Sequence, residues 1–220
     1  MIEIRRLTEE TKNLLFTVED RRLDSERVVV RPKQSGFELS YRALVGNAGA
    51  AGATGATDVS GTSGATGSQN AKNVTGAAGS AWRTPTAQRN IPWDAPAWLE
   101  GKQKCVYFAW LDSELAGQVL LEVYENNLCR IRDIRVAVSF RRRGVGEAMI
   151  ALASDWAKKR ALLGLYAETQ DVNAGACQFF TKCGFQLGGV DMLRYAARSK
   201  ETMRAAGLRE SALFFYYWIR

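Results

Sequence analysis

The chain has 220 residues, 46% of them hydrophobic and 24% charged, with a formal net charge of +7 and no histidine. Such a composition belongs to a soluble globular protein with one adequate core and room for an insertion. The lack of histidine excludes Ser-His-Asp and Cys-His catalysis and His-ligated zinc, and leaves proton transfer to carboxylates, tyrosines, lysines, thiols, water or the substrate.

From the N-terminus, Met1-Ile2-Glu3-Ile4-Arg5-Arg6 lacks the apolar stretch of a signal peptide, and no apolar run is long enough to span a bilayer. The expected location is cytoplasmic, with no membrane partner. Leu14 to Arg22 reads as a short helix, and Val28 to Val30 and Phe37 to Tyr41 read as strands. Residues 46–81 consist almost wholly of Ala, Gly, Thr, Ser and Asn, and no aromatic residue stands between Tyr41 and Trp82. Such a segment cannot bury enough apolar area to offset its chain entropy, so it reads as a disordered insertion. It separates residues 1–45 from residues 82–220 without dividing two domains, because the first part is too short for a core of its own. Trp82, Trp93 and Trp98 sit among prolines and read as anchors.

A meander follows. Cys105 to Leu111, Leu115 to Tyr124 and Cys129 to Val138 read as three antiparallel strands, with turns at Asp112-Ser113-Glu114 and Glu125-Asn126-Asn127. An amphipathic helix runs from Glu147 to Lys159, Leu165 to Glu168 is a buried strand, Asn173 caps a helix ending at Gly184, and Leu213 to Ile219 is a terminal strand. The four cysteines form no Cys-x-x-Cys pair, so neither a metal nor a disulfide is expected. The positive charge lies in short runs, and the aromatics do not alternate with basic residues as a stacking platform would require. Nucleic acid is therefore not the expected partner.

Between the third meander strand and the first long helix lies Arg141-Arg142-Arg143-Gly144-Val145-Gly146. A glycine-rich turn that opens a helix leaves backbone N–H groups pointing outward at the positive end of the helix dipole. Glycines let a phosphate approach the backbone, and arginines add charge-assisted donors. A diphosphate suits this turn, and a basic surface turn capping a helix is the plainer reading. The spacing matches neither the dinucleotide fingerprint nor a Walker loop.

Strand, Arg-x-x-Gly-x-Gly, helix, strand, and an Asn-headed helix ending in Cys183-Gly184-Phe185 resemble the acetyl-CoA-binding core of the GNAT superfamily of acetyltransferases. Within it the chain is similar to the branch that acts on streptothricin-like antibiotics. The stretches that carry this are Gly117-Gln118-Val119, Asn126-Asn127, Asp133-Ile134 through Gly146, Glu168-Thr169-Gln170, Asn173 with Ala176-Cys177, Lys182 to Phe185 and Gly188-Gly189. The resemblance implies an α/β (α+β) fold: a mixed, mostly antiparallel central sheet flanked by helices, interrupted by the insertion. It implies acetyl transfer from acetyl-CoA, with no metal, to a primary amine of a small cationic acceptor such as streptothricin or an aminoglycoside-like or β-lysyl compound. A homodimer stays open.

By the same resemblance, Arg141, Arg142, Arg143, Gly144, Val145, Gly146 and Glu147 hold the pyrophosphate, and Val136, Ala137 and Val138 pair with the pantetheine arm. Asn173 and Phe180 face the cofactor where two central strands diverge, and an N–H near Val136 polarises the thioester carbonyl. An ammonium with a reference pKa near ~10.4 must lose its proton first, and Asp133 and Glu168 are the carboxylates placed to take it. Their plainer roles are pairing with Arg135 or Arg132 for Asp133, and capping the next segment for Glu168. Four positions depart from the family pattern. Phe180 stands where a tyrosine protonates the departing thiolate, and Arg132, Glu125 and Phe214 stand where a glutamate, a tryptophan and a tyrosine are usual. A polycationic acceptor calls for an acidic site, which Arg132 opposes; Glu122 and Glu125 are candidates to restore negative charge. Three alternatives stay open: a non-catalytic acetyl-CoA-binding module, acetylation of a protein or peptide amine, and nucleic-acid binding.

Overall fold

A computed structural model describes residues 1–18, 26–43, 95–195 and 210–219. These belong to one unit built from Met1–Leu44 and Pro92–Arg220. The expected insertion at 46–81, Trp82, Trp93 and the second half of the helix expected over Leu14–Arg22 lie outside the described residues.

The strands are β1 (Ile2–Arg6), β2 (Glu26–Lys33), β3 (Gly36–Ala43), β4 (Lys104–Leu111), β5 (Glu114–Tyr124), β6 (Leu128–Val136), β7 (Gly164–Gln170), β8 (Gln186–Asp191) and β9 (Ala212–Trp218). The helices are α1 (Ala95–Leu99), α2 (Val145–Lys158) and α3 (Ala174–Lys182). Seven strands form one sheet in the order β1-β4-β5-β6-β7-β9-β8, and β2 and β3 make a separate hairpin. Within the large sheet only β6 and β7 run parallel. This is the mixed, mostly antiparallel sheet flanked by helices that the sequence implied.

Alternation along the strands sends Val119, Leu121, Cys129, Ile131, Leu165, Ala167, Leu213 and Phe215 into one buried cluster. Val145, Met149, Ile150, Ala153, Trp156 and Ala157 of α2 and Ala174, Cys177 and Phe180 of α3 complete it. The apolar spacing along α2 is therefore the spacing of one helical face. The hairpin joins this body where the Val28 N–H donates to the Asp171 carbonyl at 2.7 Å and Arg27 pairs with the Asp171 carboxylate at 2.6 Å.

Several expectations need correction. The third meander strand stops at Val136 instead of Val138: the Ala137 N–H still bonds the Ala116 carbonyl at 2.9 Å, but Val138–Phe140 closes a 3-10 turn. That turn buries Phe140 and turns the chain toward α2. The helix expected over Leu14–Arg22 does not form in its described part: Leu14 closes a 3-10 turn begun at Lys12, Leu15 is extended and Phe16 is left-handed at φ 62°. Strands β1 and β8 were not anticipated. The first is only five residues long, and the second carries two glycines at a register shift against β9.

The pairing of β6 with β7 covers only Leu128↔Gly164 to Ile131↔Ala167. On its other side β6 carries a bulge, because Leu121 pairs with Ile131 and Leu120 with Asp133, leaving Arg132 as the extra residue. Beyond this point β6 stays with β5 and β7 stays with β9, so the two parallel strands part. Gly117 guards the β5–β6 contact near its end. A Cβ there would lie 2.7 Å from the Arg135 carbonyl oxygen and 3.1 Å from the Met149 methyl. Gly117→Ala is expected to lower the stability by about 1–3 kcal/mol, read as a lower urea midpoint with an unchanged slope.

Candidate active site

The opening between β6 and β7 is where the sequence-derived candidates meet. Glu168 is the first β7 residue past the last β6 pair, and Asp133 is the first β6 residue past the bulge. The Ala137 N–H points to β5, so by strand alternation the Val136 N–H faces the other way, toward the side that β7 has left.

The glycine-rich turn follows at once. Gly144 takes φ 82° and caps α2 without a side-chain bond, and Arg142 is also left-handed at φ 61°. The Ala148 N–H to Gly144 carbonyl bond at 3.0 Å is the first of the helix, so the N–H groups of Val145 and Gly146 precede the intrahelical ladder. The arginines divide. Arg141 Nε donates to the Val136 carbonyl at 3.1 Å, Arg143 pairs with Asp112 at 3.1 Å, and Arg142 stands exposed. The Glu147 carboxylate bonds Lys182 Nζ at 2.6 Å, which holds its pKa below the usual range and ties the mouth of α2 to the end of α3.

Gly146 has a steric reason of its own. A Cβ there would meet the Phe179 ring at 2.7 Å, so the glycine lets α3 lie against the first turn of α2. Asn173 Oδ1 accepts from the Ala176 N–H at 3.1 Å, the expected cap. Phe180 is buried against Phe179, Phe185 and Phe215, with ring centroids 5.2 to 5.7 Å away. Tyr217 packs on Phe185, whereas Tyr216 lies on the opposite face with Tyr166.

Both carboxylates are charge-paired. Asp133 accepts from Arg135 Nε at 3.0 Å and from Gln118 Nε2 at 2.7 Å, and Gln118 Oε1 accepts from the Phe16 N–H at 2.8 Å. The next helix takes its cap from Asn173. Glu168 accepts a two-pronged bond from Arg194 (Nε and Nη2, both 2.9 Å), one from the Tyr195 hydroxyl at 2.7 Å, and one from Arg130 at 3.4 Å. Arg130 also faces Glu122 at 3.6 Å and lies over the rings of Tyr124 and Tyr166, at 4.9 and 5.8 Å. Arg132 reaches Glu122 at 3.5 Å, so Glu122 sits on this face as expected, but it is already neutralised. Burial first, and then the Glu168 charge, push the Tyr166 hydroxyl up to about 12, so it stays protonated at neutral pH. Among the described residues no group of three or more Cys, Asp or Glu is placed to share a metal ion, and no helix is long and apolar enough to cross a membrane.

Sequence reasoning missed Phe16, Arg130, Arg194 and Tyr195. The last two follow β8, itself unanticipated, and nothing in their local pattern marks them. Arg130 carries a detectable signal: a basic residue on a strand where alternation sends it to the face shared with Glu122 and Glu168.

A profile of the acetyltransferase (GNAT) family matches residues 75–185. Over 112 residues the chain is 38% identical to the streptothricin acetyltransferase of Escherichia coli, covering 51% of this chain and 61% of that protein. Over 121 residues it is 33% identical to streptothricin acetyltransferase A of Bacillus subtilis (strain 168), covering 55% and 66% respectively. The chain thus spans less than two thirds of the length of these curated relatives. Two of the solved structures similar in fold have alignments that cover 100% of this chain. One, assigned as a streptothricin acetyltransferase from Bacillus anthracis and complexed with acetyl coenzyme A, aligns at TM-score 0.69 and 21% identity, covering 98% of that chain. The other, a nourseothricin acetyltransferase, aligns at TM-score 0.63 and 19% identity, covering 99%.

Cys183, at the end of α3, is the partly exposed cysteine; Cys105, Cys129 and Cys177 are buried. Burial, with the Glu147 charge adding to it, pushes the Cys183 thiol up to about 11. A raised thiol pKa keeps the reactive thiolate scarce near neutral pH. Alkylation by iodoacetamide, followed by mass spectrometry, is expected to accelerate up to a midpoint near pH 11. Glu147→Gln is expected to move that midpoint down.

Proposed function

Because the chain belongs to the acetyltransferase (GNAT) family, we propose that it transfers an acetyl group from acetyl-CoA to a primary amine of a small cationic acceptor, in the manner of a streptothricin-resistance enzyme. The observation that carries this reading is the coincidence of two features. The strands β6 and β7 part at Ile131 and Ala167, and β6 ends at Val136, from which the 3-10 turn Val138–Phe140 leads to the helix mouth of Gly144 to Gly146. Unpaired strand edge, outward N–H groups and a basic turn are what a diphosphate joined to an extended arm needs. The curated relatives, named for streptothricin, support the choice of acceptor class.

In this reading Val145 and Gly146 N–H groups, with Arg142, hold the diphosphate. The strand edge at Val136 and Ala137 receives the pantetheine arm, and the Val136 N–H donates to the thioester oxygen as charge develops on it. Acetyl-CoA supplies the activated acyl group. Glu168 and Asp133, on the two lips of the opening, hold the acceptor's ammonium and relay its proton, so that the neutral amine attacks. The new C–N bond replaces the C–S bond, the attacking nitrogen gives its second proton to water, and CoA leaves as thiolate. With a thiol pKa near ~8.5, that thiolate departs without a strong acid, which is how Phe180 is compatible with turnover.

Buried Phe180 also supports a second reading, a module that binds acetyl-CoA without turning it over. A free-thiol assay with purified protein, acetyl-CoA and streptothricin separates the two. Thiol release well above the hydrolysis background is expected, with Glu168→Gln lowering kcat by about 10²-fold or more and Gly144→Glu weakening acetyl-CoA binding at least tenfold by calorimetry. Cofactor binding with no thiol release from any amine in a panel of antibiotics, polyamines and peptides would establish the binding module instead.

A further inference from the structure

Glu168 is an acceptor-binding carboxylate that the protein already fills with a cation of its own. Its side chain is 9% exposed, and its oxygens carry bonds from Arg194, Tyr195 and Arg130. The two arginines are held differently. Arg130 is 15% exposed, lies over two aromatic rings and faces two carboxylates at 3.4 and 3.6 Å. Arg194 is 41% exposed, 5.6 Å from the Phe214 ring, and makes a shorter two-pronged contact. It rides on a turn after β8 whose backbone is fixed by Asp191 Oδ1, which accepts from the N–H groups of Leu193 and Arg194 at 2.8 and 2.9 Å. Its neighbours Met192 and Leu193 stand in solvent at 64% and 70% exposure. The Arg194 side chain can therefore swing away at little cost in packing, while Arg130 cannot.

We propose that Arg194 is an internal competitor for the acceptor: its guanidinium occupies on Glu168 the place that the acceptor's cation takes, and so sets which amines the site admits. This rests on the acetyl-transfer reading above. A single ammonium is a point charge and replaces one prong of the guanidinium fork; a polycation replaces both. Arg194 thereby raises the threshold for simple amines and leaves the site open to multiply charged ones. Arg194 is a specificity-determining residue, not a catalytic one, since it departs before the amine arrives.

The test uses the full chain and streptothricin as probe. Arg194→Ala, and Arg194→Gln as a variant that keeps the side-chain bulk, are expected to lower KM about three- to tenfold, with the change falling in KM and not in kcat. Guanidinium chloride at low millimolar concentration is expected to raise KM again in both variants, competitively, and to leave the parent unaffected, which a merely structural role for Arg194 would not produce. Calorimetry of streptothricin binding to the CoA-loaded proteins reads the same competition without turnover. Absence of thiol release would retire the acetyl-transfer reading, and the binding ratio would still decide the role of Arg194. An unchanged or weakened affinity in both variants, or equal inhibition of parent and variants by guanidinium, would overturn the proposal.

Discussion

Everything at the site follows from two strands that cannot stay together. Parallel pairing holds β6 to β7 for four residues, and then the extra residue Arg132 bends β6 along β5 while β7 remains with β9. A parted sheet exposes backbone donors and acceptors that are costly to leave unmade, and an extended, amide-bearing chain is the kind of group that can satisfy them. The same bulge turns Asp133 onto the face of Gln118 and Arg135. The parted strand edge and the charged face are thus two products of one irregularity.

The electrostatics of that face are balanced, not acidic. Glu122, Asp133 and Glu168 are each met by at least one of Arg130, Arg132, Arg135 and Arg194. Pairs this sheltered are screened less than surface pairs, so they fix side-chain directions even where they add little to stability. A cation arriving here exchanges partners with the protein; it does not fall into an open negative well. The two arginines on Glu168 are held unequally, Arg130 stacked over two rings and Arg194 borne on an exposed turn.

Much of this was legible in the residues. The meander, both long helices, the Asn173 cap and the glycine turn were found from alternation, 3.6-residue spacing and cap chemistry, because each is a local signal. The strand β6 was read two residues too long, since the apolar run continues through Val138 while the hydrogen bonds do not. The role of Gly146 was read only as phosphate access. Its contact with Phe179 depends on α3 lying across α2, a tertiary fact with no trace in the local sequence. Arg194 and Tyr195 reach Glu168 from 26 and 27 positions away, and Phe16 reaches Gln118 from 102, and no periodicity encodes such meetings.

Phe16 carries a consequence of its own. Its N–H holds Gln118, which in turn holds Asp133, and its ring lies 5.1 Å from the guanidinium carbon of Arg135, the other partner of that carboxylate. It does so from a left-handed backbone, φ 62°, that bulky side chains rarely adopt. A tight bend at Phe16 thus aims an acid on β6 through both of its partners without touching the acid itself. An exchange in that bend changes the aim of Asp133 while every side chain that touches the carboxylate stays the same.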